Sequence, residues 1–132
     1  MRIFKTRTLA RWTRQNSVPD ANLVAAIERA RKGLIDADLG GLIIKQRVAR
    51  AGQGKRGGFR MLIGFKSDRS VFLFGFAKNE RENISSAELT TLREIAGSFL
   101  NATEDKIAQV LKDGTLIEVQ HGNEIKKDEG AN

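Results

Sequence analysis

Cysteine is absent from the 132 residues, which excludes a disulfide framework, a thiol nucleophile and any cysteine-based metal site. Histidine occurs once, as His121, so a His-pair zinc centre and histidine-dyad acid–base chemistry are excluded within one chain. No apolar run approaches the roughly 18 residues of a membrane-spanning helix. The stretch Met1-Arg2-Ile3-Phe4-Lys5-Thr6-Arg7 lacks the apolar region of a secretory signal. Proline occurs once, as Pro19. Acidic residues are missing from the whole interval between Asp38 and Asp68. The expectation is a soluble, cytoplasmic, single-domain protein with no membrane association, no cofactor and an anionic partner.

What is present is positive charge, unevenly spread. The formal net charge is +7. Residues 39–78 carry nine basic side chains and one acidic, whereas residues 79–132 carry six basic and eleven acidic. Lys45, Arg47, Arg50, Lys55, Arg56, Arg60 and Lys66 all fall in the acid-free interval. Uncompensated cations packed this closely repel one another, and binding a polyanion is the commonest reason for keeping them. A solvated basic face is the plainer reading, and the concentration of the charge argues against it.

The periodicity predicts a short strand over Arg2–Thr6 and a helix capped by Thr8 that runs to Asn16, with Leu9, Ala10 and Trp12 inward. A break follows at Ser17-Val18-Pro19-Asp20, then a second helix from Ala21 to Lys32 on Leu23, Ala26, Ile27 and Ala30, stopped by Gly33. The two helices are expected to form an antiparallel hairpin. The period then changes to two over 42–48, 59–66 and 71–77, the last two strands joined by the polar hairpin Ser67-Asp68-Arg69-Ser70. Gly64 and Gly75, inside strand patterns, mark a bend or a close approach and imply a curved sheet. Ser85 and Glu88 have capping-box spacing ahead of the stripe Leu89, Leu92, Ile95, Ala96, Phe99 and Leu100. Thr103 caps a further helix carrying Ile107, Val110 and Leu111, ended by Asp113-Gly114. Residues 115–119 form a last strand. The polar tail 122–132 is expected to be disordered.

Several motifs have bland readings. Gly52-Gln53-Gly54-Lys55-Arg56-Gly57 matches the dinucleotide fingerprint in letters, but a strand follows it where a helix is required. A basic hairpin loop explains it better. The tripeptides beginning at Asn83 and Asn101 match glycosylation sequons by chance. Alternation puts Phe72, Phe74 and Phe76 on one face, read as core beneath a helix rather than a base-stacking platform. Trp12 is read as a core anchor, and His121 as an exposed bystander.

The sharpest pattern pairs Gly54-Lys55-Arg56-Gly57-Gly58-Phe59-Arg60 with Phe74-Gly75-Phe76-Ala77-Lys78-Asn79-Glu80-Arg81. If these strands are antiparallel neighbours, Arg60 and the segment Lys78–Arg81 meet at one sheet edge. The pattern resembles the RelE/HigB-like toxins of bacterial type II toxin–antitoxin systems, over about residues 2–100. The resemblance implies an α/β (α+β) fold of RelE type: a curved antiparallel sheet of three to four strands against an N-terminal helical hairpin and a C-terminal helix. It divides the chain into a toxin domain over 1–100, a helix–strand extension of the same domain over 101–121, and the tail. It also implies cleavage of messenger RNA on the ribosome, inhibition of translation, and a cognate antitoxin, often a helix-turn-helix protein. Some relatives carry a basic residue where Asn79 stands and a tyrosine near Ser85; this chain has no tyrosine.

Metal-independent RNA cleavage uses the 2′-hydroxyl as nucleophile and needs a proton acceptor, a donor to the leaving 5′-oxygen and cations around the phosphorane. Arginine stays protonated and serves as clamp, while lysine beside other cations can release a proton. The candidate catalytic residues are therefore Lys55, Arg60, Lys78 and Arg81, with Arg60 on the scissile phosphate, Lys55 or Lys78 moving the proton, and Arg81 in support. The candidate RNA-binding residues are Lys45, Arg47, Arg50, Arg56, Asn79 and Asn83. No metal ligands are assigned. Two alternatives stand beside the nuclease: a ParE-like, non-enzymatic inhibitor of DNA gyrase, and a catalytically weak RNA binder. Glu88, Glu94, Glu104 and Asp105 read as solvated helix surface. Residues 103–120 are a candidate antitoxin-docking surface, to be tested by deletion.

Overall fold

A computed structural model describes residues 1–50, 58–78, 80 and 83–120. Chain order is β1 (Arg2–Thr6), α1 (Arg7–Gln15), α2 (Asp20–Arg31), β2 (Ala37–Gly40), β3 (Ile43–Val48), β4 (Phe59–Lys66), β5 (Arg69–Ala77), α3 (Ser86–Leu100), α4 (Glu104–Lys112) and β6 (Leu116–Glu118). The helices cover both faces of one mixed sheet. Leu9, Leu23, Ala26, Ile27 and Ala30 bring α1 and α2 onto one face. Ala96, Leu100, Ile107 and Val110 bring α3 and α4 onto the other.

The sheet has six strands in the order β2-β3-β4-β5-β1-β6, not three to four, and it is not wholly antiparallel. β1 runs parallel to β5, with Ile3 opposite Ser70 and Phe4 opposite Val71. β2, at one edge, is only four residues long, too short for a period of two to stand out in sequence, while β6, at the other, falls within the strand expected over 115–119. β6 pairs antiparallel with β1. Because Ile107, Val110, Leu116 and Val119 are all buried, removing 103–120 would strip core and edge strand together and could not serve as a docking test.

The helix hairpin also resolves differently. Both helices lie chiefly on the sheet, α2 against β3 and α1 against β5. The α1 cap is Thr6, two positions earlier than Thr8, and its hydroxyl accepts from the Leu9 N–H at 3.1 Å. Thr6 is the last strand residue, with the extended backbone that a cap requires (φ −70°, ψ 160°). Ser85 and Glu88 form the capping box, and Thr103 caps α4.

The β4–β5 ladder decides which side chains face which layer. Leu62 pairs with Phe74 but Ile63 pairs with Phe72, leaving Leu73 as an extra residue. Such a bulge inverts alternation beyond it. Phe72 thus joins the α1/α2 core while Phe74 packs with the α3/α4 core. The three phenylalanines do not share a face, as unbroken alternation required. Phe74 and Phe76 do, with ring centroids 6.0 Å apart. Both strand glycines are close approaches: a Cβ on Gly75 would lie 2.8 Å from the Trp12 ring, and one on Gly64 3.1 Å from the Ala96 methyl.

Candidate nucleic-acid interface

Register places the basic side chains. Phe59, Met61 and Ile63 of β4 turn toward α1 and α2, so Arg60 and Leu62 turn the other way, toward the α3 face. Across the ladder, Arg47 stands opposite Arg60 and Arg60 opposite Phe76. In the next row, Lys45 stands opposite Leu62 and Leu62 opposite Phe74. Since directly opposed residues share a face, Lys45, Arg47 and Arg60 project from one side with Phe74 and Phe76. Helix α3 covers the far half of this face, where Ala96 and Leu100 rest on Gly64. Lys45 and Arg60 are half-buried and Arg47 is exposed.

Arginine directly opposite arginine is unfavourable in a free sheet, because like charges on one rung repel. Among the described residues, none of the Lys45, Arg47, Arg60 and Lys78 side chains has a carboxylate partner. Three cations elsewhere are neutralised. Lys5 pairs with Asp20 at 2.8 Å, and Arg2 bonds Glu118 at 3.0 Å and Glu104 at 3.1 Å. Buried Arg69 donates to the carbonyls of Phe99 and Ala102 at the end of α3 and to Glu104 at 2.8 Å. Glu104, exposed as expected, also bridges Arg69 and Arg2, and Glu88 is half of a capping box.

The backbone under Arg47 is held from α2 and the loop after it. Its N–H donates to Asp36 Oδ2 at 2.7 Å, and its carbonyl accepts from the Arg29 guanidinium. Two residues on, Asn22 donates to the Ala49 carbonyl at 3.0 Å. Fully buried Gln46 ties the same region together, donating to the Ala26 and Leu34 carbonyls and accepting from the Asp36 N–H. Asn22, Arg29, Asp36 and Gln46 are positioning residues that sequence reasoning missed, because their partners are 10 to 27 positions away.

The remaining sequence candidates separate. Lys78 is exposed in the turn after Ala77, whose rung partner is Phe59, so it stands at the same sheet end as Arg60. Asn83 is exposed just before the Ser85 cap, its side-chain oxygen accepting from the Ile84 N–H at 3.0 Å. Arg50 departs from the cluster: its guanidinium lies 5.2 Å over the Phe59 ring, on the α1 side of the sheet. Phe59 in turn meets Trp12 edge-on at 4.8 Å. Lys55, Arg56, Asn79, Arg81, the loop glycines 52, 54 and 57, His121 and the tail lie outside the described residues.

The arrangement offers a sheet face carrying three cations beside half-buried Phe74 and buried Phe76, with positive charge suited to holding a phosphodiester. No described helix is long and apolar enough to cross a membrane. A search of the curated proteins returns no match. The model of one family does match, over residues 1–119, from the start of β1 through the edge strand β6; it describes the RelE toxin of the RelE/RelB toxin–antitoxin system. With nine-tenths of the chain matched, and a mixed α/β sheet whose open face carries opposed arginines, the protein belongs to the RelE toxin family.

Proposed function

We propose that this RelE-family toxin is a ribosome-dependent endoribonuclease, restrained by a cognate antitoxin that the family implies and that in this case is a helix-turn-helix protein. The observation that carries the reading is the Arg47–Arg60 rung on the open half of the α3 face, unneutralised among the described residues. Arginines so placed stabilise the extra negative charge of a phosphorane, and they do so best when fixed in advance. Asp36, Arg29 and Gln46 supply that fixity for Arg47.

In the proposed reaction, Arg60 grips the scissile phosphate and Arg47 the same or the adjacent one, with Lys45 extending the track. The 2′-hydroxyl loses its proton to Lys55 or Lys78 and attacks the neighbouring phosphorus. The P–O5′ bond breaks, the 5′-oxygen takes up a proton, and a 2′,3′-cyclic phosphate remains. Arg56 and Arg81 support the phosphate backbone, and Asn79 and Asn83 are hydrogen-bonding contacts to base or ribose. Holding the message in attack geometry can itself contribute several kcal/mol, about 7–11 in well-oriented systems, which lessens the demand on the base.

Primer extension on cellular messages after brief expression tests this. The wild type is expected to give cuts within translated frames, and Arg60→Gln to reduce them about 100-fold, the usual cost of losing one transition-state donor. Accumulated gyrase–DNA breaks without message cuts would indicate the gyrase-inhibitor reading. Undiminished cutting by Arg60→Gln would remove Arg60 from the site.

A further inference from the structure

The face that carries Arg60 does not end at β5. On β1, Phe4 packs with the α3/α4 core while Lys5 pairs with Asp20 of α2, so the next residue, Thr6, turns to the α3 side. There Thr6, Arg7, Thr8, Arg11, Phe99 and Thr115 line a cavity of about 400 Å³. Two guanidiniums and three hydroxyl side chains line this open depression, and among the described residues no carboxylate is in its wall. Arg7 and Arg11 are one helical turn apart on α1 and exposed, and among the described residues neither has an ion-pair partner.

The acid nearest in charge terms, Asp113, is already engaged. Its Oδ1 accepts from Thr115 Oγ1 at 2.6 Å and from the Thr115 N–H at 2.9 Å. Those two bonds, with smaller help from Arg7 and Lys106, hold its carboxyl below the usual range. The backbone at the start of α1 is engaged too, Arg7 N–H by the Thr115 carbonyl and Leu9 N–H by the Thr6 hydroxyl. The guanidiniums are the charged groups left to meet an anion.

We infer that this cavity is a second phosphate subsite for the same RNA strand that Arg60 holds, so that the strand crosses the sheet from β3 toward β1 over Phe74. The inference rests on the nuclease reading for the identity of the strand. β1 lies two strand spacings from β4, roughly 9–10 Å, and Thr6 sits about three residues, roughly 10 Å, short of the Arg60 rung along the strands, a diagonal of about 14 Å or two to three nucleotides of extended backbone. Half-buried Phe74, on β5 between them, offers an apolar edge to an intervening base.

The test uses the purified full chain and labelled decauridylate, read by fluorescence anisotropy across a salt series. The double variant Arg7→Gln/Arg11→Gln is expected to bind about tenfold more weakly, the cost of a lost charged contact. Its slope of log K against log salt is expected to fall by about 0.7, one single-strand phosphate. Arg7→Lys/Arg11→Lys is expected to restore the slope but only part of the affinity, since lysine keeps the charge without the planar fork. Unchanged affinity and slope in the glutamine variant overturn the inference. A loss seen only in association with 30S ribosomal subunits also overturns it, because ribosomal RNA would then occupy the cavity. Failure of the nuclease reading shows separately, as absence of message cuts by the wild type, and leaves the anisotropy result standing on its own.

Discussion

Arg60→Gln is expected to make the protein more stable while disabling it, and the sign of the first effect is the sharper test. Arg47 and Arg60 are directly opposed on neighbouring antiparallel strands. Guanidiniums on such a rung, about 7 Å apart, repel by about 0.6 kcal/mol at the dielectric of water and about 2.4 kcal/mol at an effective value of 20. Arg47 is exposed and Arg60 half-buried, so solvent screening places the pair toward the lower figure. The Arg60 stem also packs, and truncation to Gln forfeits a little of that contact. The net expectation is a gain of about 0.5 kcal/mol, within the range measured for cross-strand pairs. Urea denaturation suits the measurement, because guanidinium chloride would itself screen the charges. The gain should be largest in about 20 mM salt and nearly vanish by about 1 M, where the Debye length falls to roughly 3 Å. Arg47→Gln should give a similar gain, and the double variant less than the sum, since only one repulsion exists to remove. A salt-independent loss of more than about 1 kcal/mol in Arg60→Gln would refute the reasoning: Arg60 would then be a packing residue, and its opposition to Arg47 no mark of a ligand.

Gly75→Ala should destabilise by about 1–3 kcal/mol, because the new methyl enters the Trp12 ring. The chain has one tryptophan, so its emission reports the displacement directly, and Trp12→Leu in the same chain should recover most of the loss. Arg69→Met should cost about 3–5 kcal/mol in chemical denaturation, since it strands the α3 carbonyls that the buried guanidinium satisfies. Glu104→Gln, at the exposed end of that pair, should cost under about 1 kcal/mol; an equal loss from both would refute the assignment of the burden to the carbonyls.

Much of the local structure was legible because it obeys short-range rules. The stripe from Leu23 to Ala30, the Gly33 stop, the Ser85–Glu88 box and the Thr103 cap each involve residues within a few positions, where chain geometry alone fixes the neighbours. The strand β4 could be read to the residue because its apolar face alternates without interruption. Phe72, Phe74 and Phe76 show where that reasoning ends. Nothing in their own spacing reveals the extra residue at Leu73, which exists only in relation to the partner strand.

The sequence by itself determined that the protein would be cationic, that the charge would crowd into one acid-free interval, and that a strand–hairpin–strand unit would carry it. Those follow from composition and period, which every chain states openly. Only the tertiary structure decided that Arg47 and Arg60 share a rung while Arg50 crosses to the Phe59 side, and that β1 enters beside β5 to set Arg7 and Arg11, at the start of α1, beside Phe99 of α3. Pairing and register join residues tens of positions apart, and a shift of one residue exchanges the two faces of a sheet.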